Sequence, residues 1–326
     1  MNEKNLLAAA PTREDIERAA ERIAPFAHRT PVLTCRSLDE MTGGKLFFKC
    51  ENFQKVGAFK FRGAVNSVFS LTPEAARRGV ATHSSGNHAQ ALALAARLRK
   101  IPATIVMPET SPRVKQAAVR GYGGEIVFCA PTLAAREATL ARLIAESGAE
   151  FIHPYNDARV IAGQATCARE LLDQVPDLDL IVTPVGGGGL TGGTALAVHY
   201  FGSPTEVIAA EPAGADDARR SFLSGRLLPS ENPRTIADGL LTSLSELTFT
   251  ILRRHVRDVQ TVSEENIVSA MRHIFERMKI LVEPSAAVPF GLLLENRALA
   301  AGRRVGIILS GGNVDLASLP WRDEGR

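Results

Sequence analysis

The sequence predicts an α/β fold with parallel sheets, organised in two domains. Three observations lead to this prediction. The chain has 326 residues, which is long for a single hydrophobic core. Short β-branched runs alternate along it with amphipathic stretches rich in alanine and leucine, as they do in βα units. Several of the short runs are apolar on both faces, as strands buried in a parallel sheet should be.

Seven short runs are predicted to be strands because they are apolar and bounded by turn residues. They are KLFFKCE (45–51), GVATHSS (79–85), ATIVMPE (103–109), EIVFCA (125–130), LDLIVTPV (178–185), EVIAAEP (206–212) and RRVGIILSGG (303–312). Segment 80–150 holds βα units of its own and could form a smaller domain inserted into a larger one. No linker rich in proline, glycine or serine marks its edges.

Helices are predicted between these strands from their amphipathic spacing. They cover 88–100, 131–147, 162–174 and 264–279, and an opening helix runs from about Arg13 to Ile23. Thr12 and Ser263 are candidate N-caps, because a side-chain oxygen at that position accepts from a free backbone N–H.

Composition excludes several classes of protein. The net charge is +3, and no block of lysine and arginine indicates a nucleic acid or a membrane surface as partner. No apolar run approaches the roughly 18 residues that a bilayer requires. The N-terminal MNEKNLLAAAPT lacks the layout of a signal peptide, so we expect a cytoplasmic protein. The four cysteines form no CxxC pair and are expected to be small buried hydrophobes.

The most specific single feature is a glycine-rich turn in TPVGGGGLTGGTALAVHY (183–200). A predicted strand leads into Gly186–Gly189 and a helix follows, so free N–H groups and a partial positive charge would meet an anion there. We therefore expect a phosphate. The turn also satisfies GxGxxG, with Glu211 about twenty residues further on, so by itself it fits a nicotinamide dinucleotide equally well.

A lysine between aromatic residues lies upstream, in ENFQKVGAFKFRGA (51–64). Lys60 is flanked by Phe59 and Phe61, and partial desolvation would lower the pKa of its amine and favour a Schiff base. A surface lysine is the alternative. The segment HSSGNHAQ (83–90) follows a predicted strand. Its small polar residues and backbone N–H groups could form a nest for a carboxylate, or simply cap the next helix.

Four segments together resemble the fold-type II pyridoxal-phosphate enzymes, specifically the serine/threonine dehydratase and serine racemase group. They are VGAFKFRGA, the SSGNH loop, the GGGGLTGG turn and SGGN at 310–313, in the order of that family. The resemblance runs from about residue 10 to 318. It implies two three-layer α/β domains of the tryptophan synthase β-like type. Residues 1–75 and 155–326 would form a large cofactor-binding domain, and 76–154 a small substrate-side domain.

The resemblance also implies roles in holding pyridoxal 5′-phosphate. Lys60 would carry the cofactor through a Schiff base, Phe59 would pack against its pyridine ring, and Ser310 would hydrogen-bond the ring nitrogen. Asn87 would hydrogen-bond the 3-oxygen, and Gly239 would lie beside the cofactor. The phosphate would be held by Gly186, Gly187, Gly188 and Gly189.

Further residues are implied for catalysis and substrate binding. Lys60 would act as the general base, and Ser85 resembles the racemase serine on the face opposite the lysine. The substrate carboxylate would be oriented by Ser84, Ser85, Asn87, His88 and Arg136.

One match is typical of the racemase branch, where a Glu, a backbone carbonyl four residues later and an Asp six residues later hold a divalent cation. In EPAGADD (211–217) these would be Glu211, Ala215 and Asp217. Carboxylate and carbonyl oxygens suit Mg²⁺ or Ca²⁺, and Mn²⁺ is also a candidate. A solvated acidic loop is the alternative.

The predicted function is removal of water and ammonia from a small β-hydroxy amino acid, giving a 2-keto acid. L-threonine, L-serine and a 3-hydroxyaspartate-like compound are the candidate substrates. A serine racemase with elimination as a side activity is the main alternative. A nicotinamide-dependent dehydrogenase and a non-catalytic ligand-binding protein are the others. The family analogy suggests a homodimer whose partner molecule is a small amino acid.

Overall fold

The computed structural model describes residues 3–202 and 204–321. The strands are β1 (Val32–Leu33), β2 (Lys45–Cys50), β3 (Val80–His83), β4 (Ala103–Pro108), β5 (Glu125–Cys129), β6 (Glu150–Phe151), β7 (Leu180–Pro184), β8 (Glu206–Pro212), β9 (Asp258–Val262) and β10 (Arg304–Leu309). The helices are α1 (Glu3–Ala8), α2 (Arg13–Ile23), α3 (Arg36–Thr42), α4 (Lys60–Ser70), α5 (Pro73–Arg78), α6 (Asn87–Arg99), α7 (Arg113–Gly121), α8 (Leu133–Ser147), α9 (Ala158–Gln174), α10 (Gly189–Phe201), α11 (Asp217–Ser224), α12 (Glu246–His255), α13 (Glu264–His273) and α14 (Pro284–Glu295).

Two sheets organise these elements. The larger has the order β1-β2-β10-β7-β8-β9, and its pairs are parallel except for β1 with β2. The smaller has the order β5-β4-β3-β6 and is parallel throughout. All four of its strands come from residues 80–151, inside the predicted small domain. The parallel α/β architecture is confirmed, while the exact domain limits stay a prediction.

The seven predicted strands are all present, several of them shorter than expected. Three further strands were not predicted. Two of them, β1 and β6, have only two residues, and β9 (DVQTV) mixes polar and apolar side chains. Such segments carry no clear period, so only their neighbours in the sheet define them.

The five predicted helices are also present, with shifted ends. The predicted helix at 162 begins earlier, at Ala158, because the Asp157 side chain accepts from the Arg159 N–H and caps it. The predicted helix 264–279 is α-helical to His273 and continues as a π turn from Ile274 to Met278. Thr12 and Ser263 cap their helices as expected.

The core strands β7 and β10 explain where the site lies. Both are almost fully buried apolar runs, because helices cover both faces of the sheet. In open parallel sheets the ligand crevice lies at the carboxyl ends of the strands. Here those ends lead into Gly186, Ser310 and, from the smaller sheet, Ser84.

Two further features complete the fold. Within residues 3–202 and 204–321, no helix has the length and apolar character needed to cross a membrane. All four thiols are free. Cys50, Cys129 and Cys167 are buried as expected, whereas Cys35 is only half-buried.

Candidate active site

Lys60 is the first residue of α4 and its side chain is half-buried. Its Nζ donates a hydrogen bond of 2.9 Å to the carbonyl oxygen of Pro154. Burial lowers the pKa of the amine to about 8, although the nearby Glu283 carboxylate opposes the shift. The partial desolvation that the flanking phenylalanines suggest is therefore present, and a large share of the amine is neutral at mildly alkaline pH.

A buried ion network anchors the helix that carries Lys60. Arg62 is fully buried and its guanidinium contacts both oxygens of Glu51, at 2.7 and 2.8 Å. It also pairs with Glu170 of α9 at 2.7 Å, and Glu170 accepts from Lys49 at 2.8 Å. Hydrogen-bonded, fully paired charges of this kind hold a fixed geometry, since an unpaired partner would be costly. The start of α4 is thus tied to β2 and α9.

The glycine-rich turn lies between β7 and α10, and Gly186–Gly189 are buried. A Cβ built on Gly187 would lie 2.3 Å from the Tyr155 ring, and one on Gly189 would lie 2.9 Å from the Tyr155 Cβ. Gly188 has a φ of +84° and is the N-cap of the 13-residue helix α10. The turn therefore requires glycine, and it brings the start of a long helix to the site, where an anion is favoured.

The remaining predicted cofactor residues adjoin this turn and Lys60. The Phe59 N–H donates to the Ser310 carbonyl at 2.9 Å, and Ser310 is buried. The Gly239 carbonyl lies 3.4 Å from the position of a Cβ on Gly186. The Gly239 N–H donates to the Ser285 hydroxyl at 3.1 Å. The structure thus joins Phe59 to Ser310, and Gly239 to the glycine-rich turn.

Asn87 begins α6, and its side chain hydrogen-bonds to two other side chains for which the sequence predicted no role. Its Nδ2 donates to both oxygens of Glu283, at 3.0 Å each. Its Oδ1 accepts from Asn313 Nδ2 at 2.9 Å. Burial raises the pKa of Glu283 to about 7. In the sequence, the only indication of a role for Glu283 was its charge directly before an apolar segment, which forms helix α14.

The SSGNH loop presents backbone and hydroxyl groups between β3 and α6. Ser84 and Ser85 are half-buried, and the Ser84 hydroxyl accepts from the Gly86 N–H at 3.3 Å. The His88 ring is buried instead, and its Nε2 lies 3.0 Å from the Ile152 carbonyl. Burial lowers the pKa of His88 to about 3. Any substrate contact of His88 is expected from its backbone N–H.

Arg136 on α8 lies near His83, whose pKa is lowered by burial and by that guanidinium. The Arg136 Nε and the His83 Nδ1 are buried and have no hydrogen-bond partner among the described residues. His83 is also part of an aromatic row with Phe151 and His153. The unsatisfied Arg136 Nε is a charged donor and suits an anionic group.

The predicted metal residues lie after β8. Both oxygens of Glu211 accept backbone N–H bonds from α11, from Ala218 and Arg219 at 2.9 Å each. Both carboxylate oxygens of Asp217 are buried and lack a hydrogen-bond partner in the described part of the chain. Burial raises the pKa of Glu211 to about 8 and that of Asp217 to about 6. Ala215 is buried beside them. The buried, unpaired Asp217 carboxylate next to Glu211 fits a cation.

The predicted metal residues and the predicted cofactor residues differ in the chemical groups that they supply. In the described residues, no group of three or more His, Cys, Asp or Glu is arranged to hold a metal ion. A two-carboxylate site completed by a carbonyl would not meet that count. The predicted cofactor residues, in contrast, supply a lysine amine, a glycine turn at the start of a helix and a buried hydroxyl. These groups fit a phosphorylated aldehyde, and a family profile described as pyridoxal-phosphate dependent enzyme matches residues 23–311.

This chain belongs to the pyridoxal-phosphate dependent enzyme family.

Its relatives include the beta-hydroxyaspartate dehydratase of Paracoccus denitrificans, 53% identical over 95% of this chain and 99% of the relative. The L-threo-3-hydroxyaspartate ammonia-lyase of Saccharomyces cerevisiae is 48% identical over 94% of each chain. Among solved structures, the serine racemase of Dictyostelium discoideum has a TM-score of 0.90 and 48% identity, covering 94% of this chain and 99% of the other. The predicted family, fold type and reaction class are confirmed, and the nicotinamide alternative is excluded.

Proposed function

We propose that this chain is an ammonia-lyase that dehydrates a β-hydroxy amino acid, with a 3-hydroxyaspartate as the preferred substrate and L-serine and L-threonine as smaller alternatives. The observation that carries the proposal is the half-buried Lys60 amine, whose pKa lies near 8, beside a glycine turn that begins a helix. Loss of water leaves an enamine, which takes up water and releases ammonia. A 3-hydroxyaspartate would give oxaloacetate.

The cofactor would be held by the residues described above. Lys60 would bind its aldehyde carbon, Asn87 its ring oxygen, and Ser310 its ring nitrogen, with Phe59 against the ring. The phosphate would lie on Gly186–Gly189, and Gly239 would line the same cavity. When bound, pyridoxal phosphate withdraws electrons from the substrate Cα, which makes its proton removable.

The protein side chains supply the proton transfers. After release from the cofactor, the Lys60 amine would take the Cα proton, because its lowered pKa keeps it basic but not permanently charged. Ser310 offers the ring nitrogen a neutral hydroxyl in a buried position. The α-carboxylate of the substrate would be oriented by Ser84, Ser85, Asn87 and the His88 N–H.

The preference for a second carboxylate rests on Arg136 and His83. Their buried nitrogens lack partners among the described residues. His83 directly precedes the SSGNH loop, and the Arg136 guanidinium is near enough to lower the pKa of His83. An arginine recognises a carboxylate through charge and paired N–H donors. The names of the Paracoccus and yeast relatives support the same preference.

A keto-acid release assay over a panel of β-hydroxy amino acids tests this proposal. We expect the highest kcat/KM with a 3-hydroxyaspartate. In Arg136→Leu the ratio for that substrate should fall by about 100-fold, the loss of a charged hydrogen bond, while the ratio for L-serine changes little. Arg142→Leu, an exposed arginine on the same helix, is the control. Equal losses for both substrates would contradict the assignment.

Racemisation of serine is the second candidate, because Ser85 is half-buried in the SSGNH loop and matches the racemase position. Chiral analysis of the remaining substrate separates the two activities. Formation of D-serine faster than pyruvate would favour racemase as the main function. Ser85→Ala should remove D-serine formation while pyruvate release remains.

We also propose that Glu211, Asp217 and the Ala215 carbonyl hold Mg²⁺ or a similar cation. The unpaired buried oxygens of Asp217 support this proposal. Chelation is expected to lower the melting temperature, and added Mg²⁺ to restore it, because the ion binds the folded state. Asp217→Asn should not respond to either treatment. A wild-type melting temperature that is insensitive to the chelator would overturn the site.

The predicted homodimer and cytoplasmic location stay predictions. Light scattering on the purified chain tests the first, and a mass near twice 35.0 kDa is expected.

A further inference from the structure

The Asn87 amide is held at both of its ends. Its Nδ2 lies 3.0 Å from each oxygen of Glu283, and its Oδ1 lies 2.9 Å from Asn313 Nδ2. These three side chains come from α6, from the start of α14 and from the loop after β10. They are separated by 196 and 226 residues along the chain, so the fold alone brings them together.

The donors and acceptors around Asn87 determine that its Nδ2 faces Glu283 and its Oδ1 faces Asn313. An ionised carboxylate can only accept, and both Glu283 oxygens lie 3.0 Å from Nδ2, so the ionised Glu283 faces Nδ2. Asn313 cannot reverse its own amide, because its Nδ2 also donates to the Val56 carbonyl at 2.7 Å. That carbonyl can only accept. Reversing the Asn87 amide would place like groups against each other on both sides.

The position of Glu283 is itself tightly built. It is buried, with 6% of its surface exposed, and its N–H donates to the Gly311 carbonyl at 3.0 Å. A Cβ on Gly311 would lie 2.7 Å from the Glu283 Oε1. The SGGN segment therefore supplies two things: a bare glycine that admits the carboxylate, and the amide of Asn313.

Asn313 also reaches the lysine segment. Val56 has a φ of +57°, which is strained for a β-branched residue. Its carbonyl is held by Asn313 Nδ2, and the next residue, Gly57, accepts from the Gly312 N–H at 2.9 Å. One side chain thus secures the turn before Lys60 and the orientation of Asn87.

We propose that Glu283 and Asn313 are positioning residues that fix the Asn87 amide from both sides, so that its second Nδ2 hydrogen is kept as a donor for the cofactor. This inference rests on the proposed function, in which Asn87 binds the ring oxygen of pyridoxal phosphate. Without the two partners the amide could rotate and present its oxygen, which would repel an oxygen on the ligand.

Variants of the full-length holoenzyme test the proposal through the absorbance spectrum and the rate of cofactor release after gel filtration. In Glu283→Ala and Asn313→Ala, release should become about tenfold faster, the effect of one lost hydrogen bond, and the absorbance maximum should shift. Glu283→Gln retains an accepting oxygen and should restore most of the wild-type behaviour. Glu295→Ala is the control: Glu295 ends the same helix and binds Ser263.

A double-variant comparison separates positioning from general stabilisation. In an Asn87→Ala background, Glu283→Ala should have no further effect on release or spectrum, because it acts through the missing amide. Asn313→Ala should lose only part of its effect there, because its bond to the Val56 carbonyl is independent of Asn87. A full additional effect in that background, or a Glu283→Gln variant as impaired as Glu283→Ala, would overturn the inference. If the wild-type protein carried no cofactor on Lys60, the proposed function would fail instead.

Discussion

At the scale of single residues, the environment of Lys60 explains why this amine, among the lysines of the chain, is suited to react with an aldehyde. Its Nζ is tied to the Pro154 carbonyl, and burial lowers its pKa to about 8. Burial disfavours the charged form, so the neutral amine is available about two pH units below the range of a solvated lysine. Only the neutral amine is a nucleophile.

The first prediction concerns the pH dependence of cofactor capture. After the cofactor is removed, the rate at which the protein takes up pyridoxal phosphate should rise with pH, with an inflection near pH 8. Borohydride trapping and peptide mapping measure this rate at Lys60. Lys60→Ala should abolish capture, and Lys55→Ala should leave it intact. An inflection near pH 10, as for a solvated lysine, would contradict the structure.

The sequence predicted the desolvation of Lys60 but not its partners. Two flanking phenylalanines were visible in the local sequence, and local sequence is enough to suggest partial burial. Pro154 and Glu283 are 94 and 223 positions away, and no local pattern indicates which carbonyl or carboxylate a lysine will meet. For the same reason the network around Asn87 could be found only in the folded chain.

At the scale of elements, the crossing of α4 and α9 holds the helix that carries Lys60. The two helices approach closely through Gly63 and Gly163. A Cβ on Gly163 would lie 2.6 Å from the Gly63 Cα and 2.7 Å from the Arg62 carbonyl. Both neighbours are backbone, so neither can move aside without displacing α4 itself.

The second prediction is that Gly163→Ala destabilises the fold and displaces Lys60. Overpacking of this kind costs about 1–3 kcal/mol, so the urea midpoint should fall and cofactor capture should slow. Gly121→Ala is the matched control, because a Cβ there would meet nothing within 4 Å and the residue is also helical. Equal midpoints for the two variants would show that the crossing tolerates a methyl group.

The sequence predicted α2 and α13, which have a polar face, but it did not predict α14, whose burial is nearly complete. The predicted α2 and α13 have acidic first turns, N-caps and a polar face. Helix α14, in contrast, reads PSAAVPFGLLLE and is buried over most of its length. A segment that is apolar on every side carries no helical period, so the sequence could not separate it from a strand or a loop.

At the scale of the whole molecule, buried histidines make the fold sensitive to acid. Burial lowers the pKa of His88 to about 3 and that of His153 to about 4. Their usual pKa is near 6.5. Between these values the unfolded chain binds protons that the folded chain excludes. The contribution of these histidines to the free energy of unfolding therefore falls as the pH drops below about 6.5, while the raised pKa values of the buried Glu211 and Glu283 act in the opposite direction.

The third prediction follows from that balance. The histidine contribution to the free energy of unfolding should decrease from pH 6.5 towards pH 4, by up to about 1.4 kcal/mol per pH unit for each such histidine. His88→Gln keeps a donor for the Ile152 carbonyl and cannot take up a proton, so its free energy of unfolding, measured with urea, should rise relative to the wild type as the pH falls. A slope identical to that of the wild type would show that the His88 ring is protonated in the folded chain.

The order of strands in the larger sheet has a consequence for how the protein is made. The last strand, β10, lies between β2 and β7, although it is the final one to leave the ribosome. Until residues 304–309 emerge, β2 and β7 have no partner on their facing edges. Ser310 and Asn313 follow directly. A nascent chain should therefore complete its central sheet and its cofactor cavity only at the end of synthesis. Fragments that stop before residue 304 should neither fold fully nor show the absorbance of bound pyridoxal phosphate.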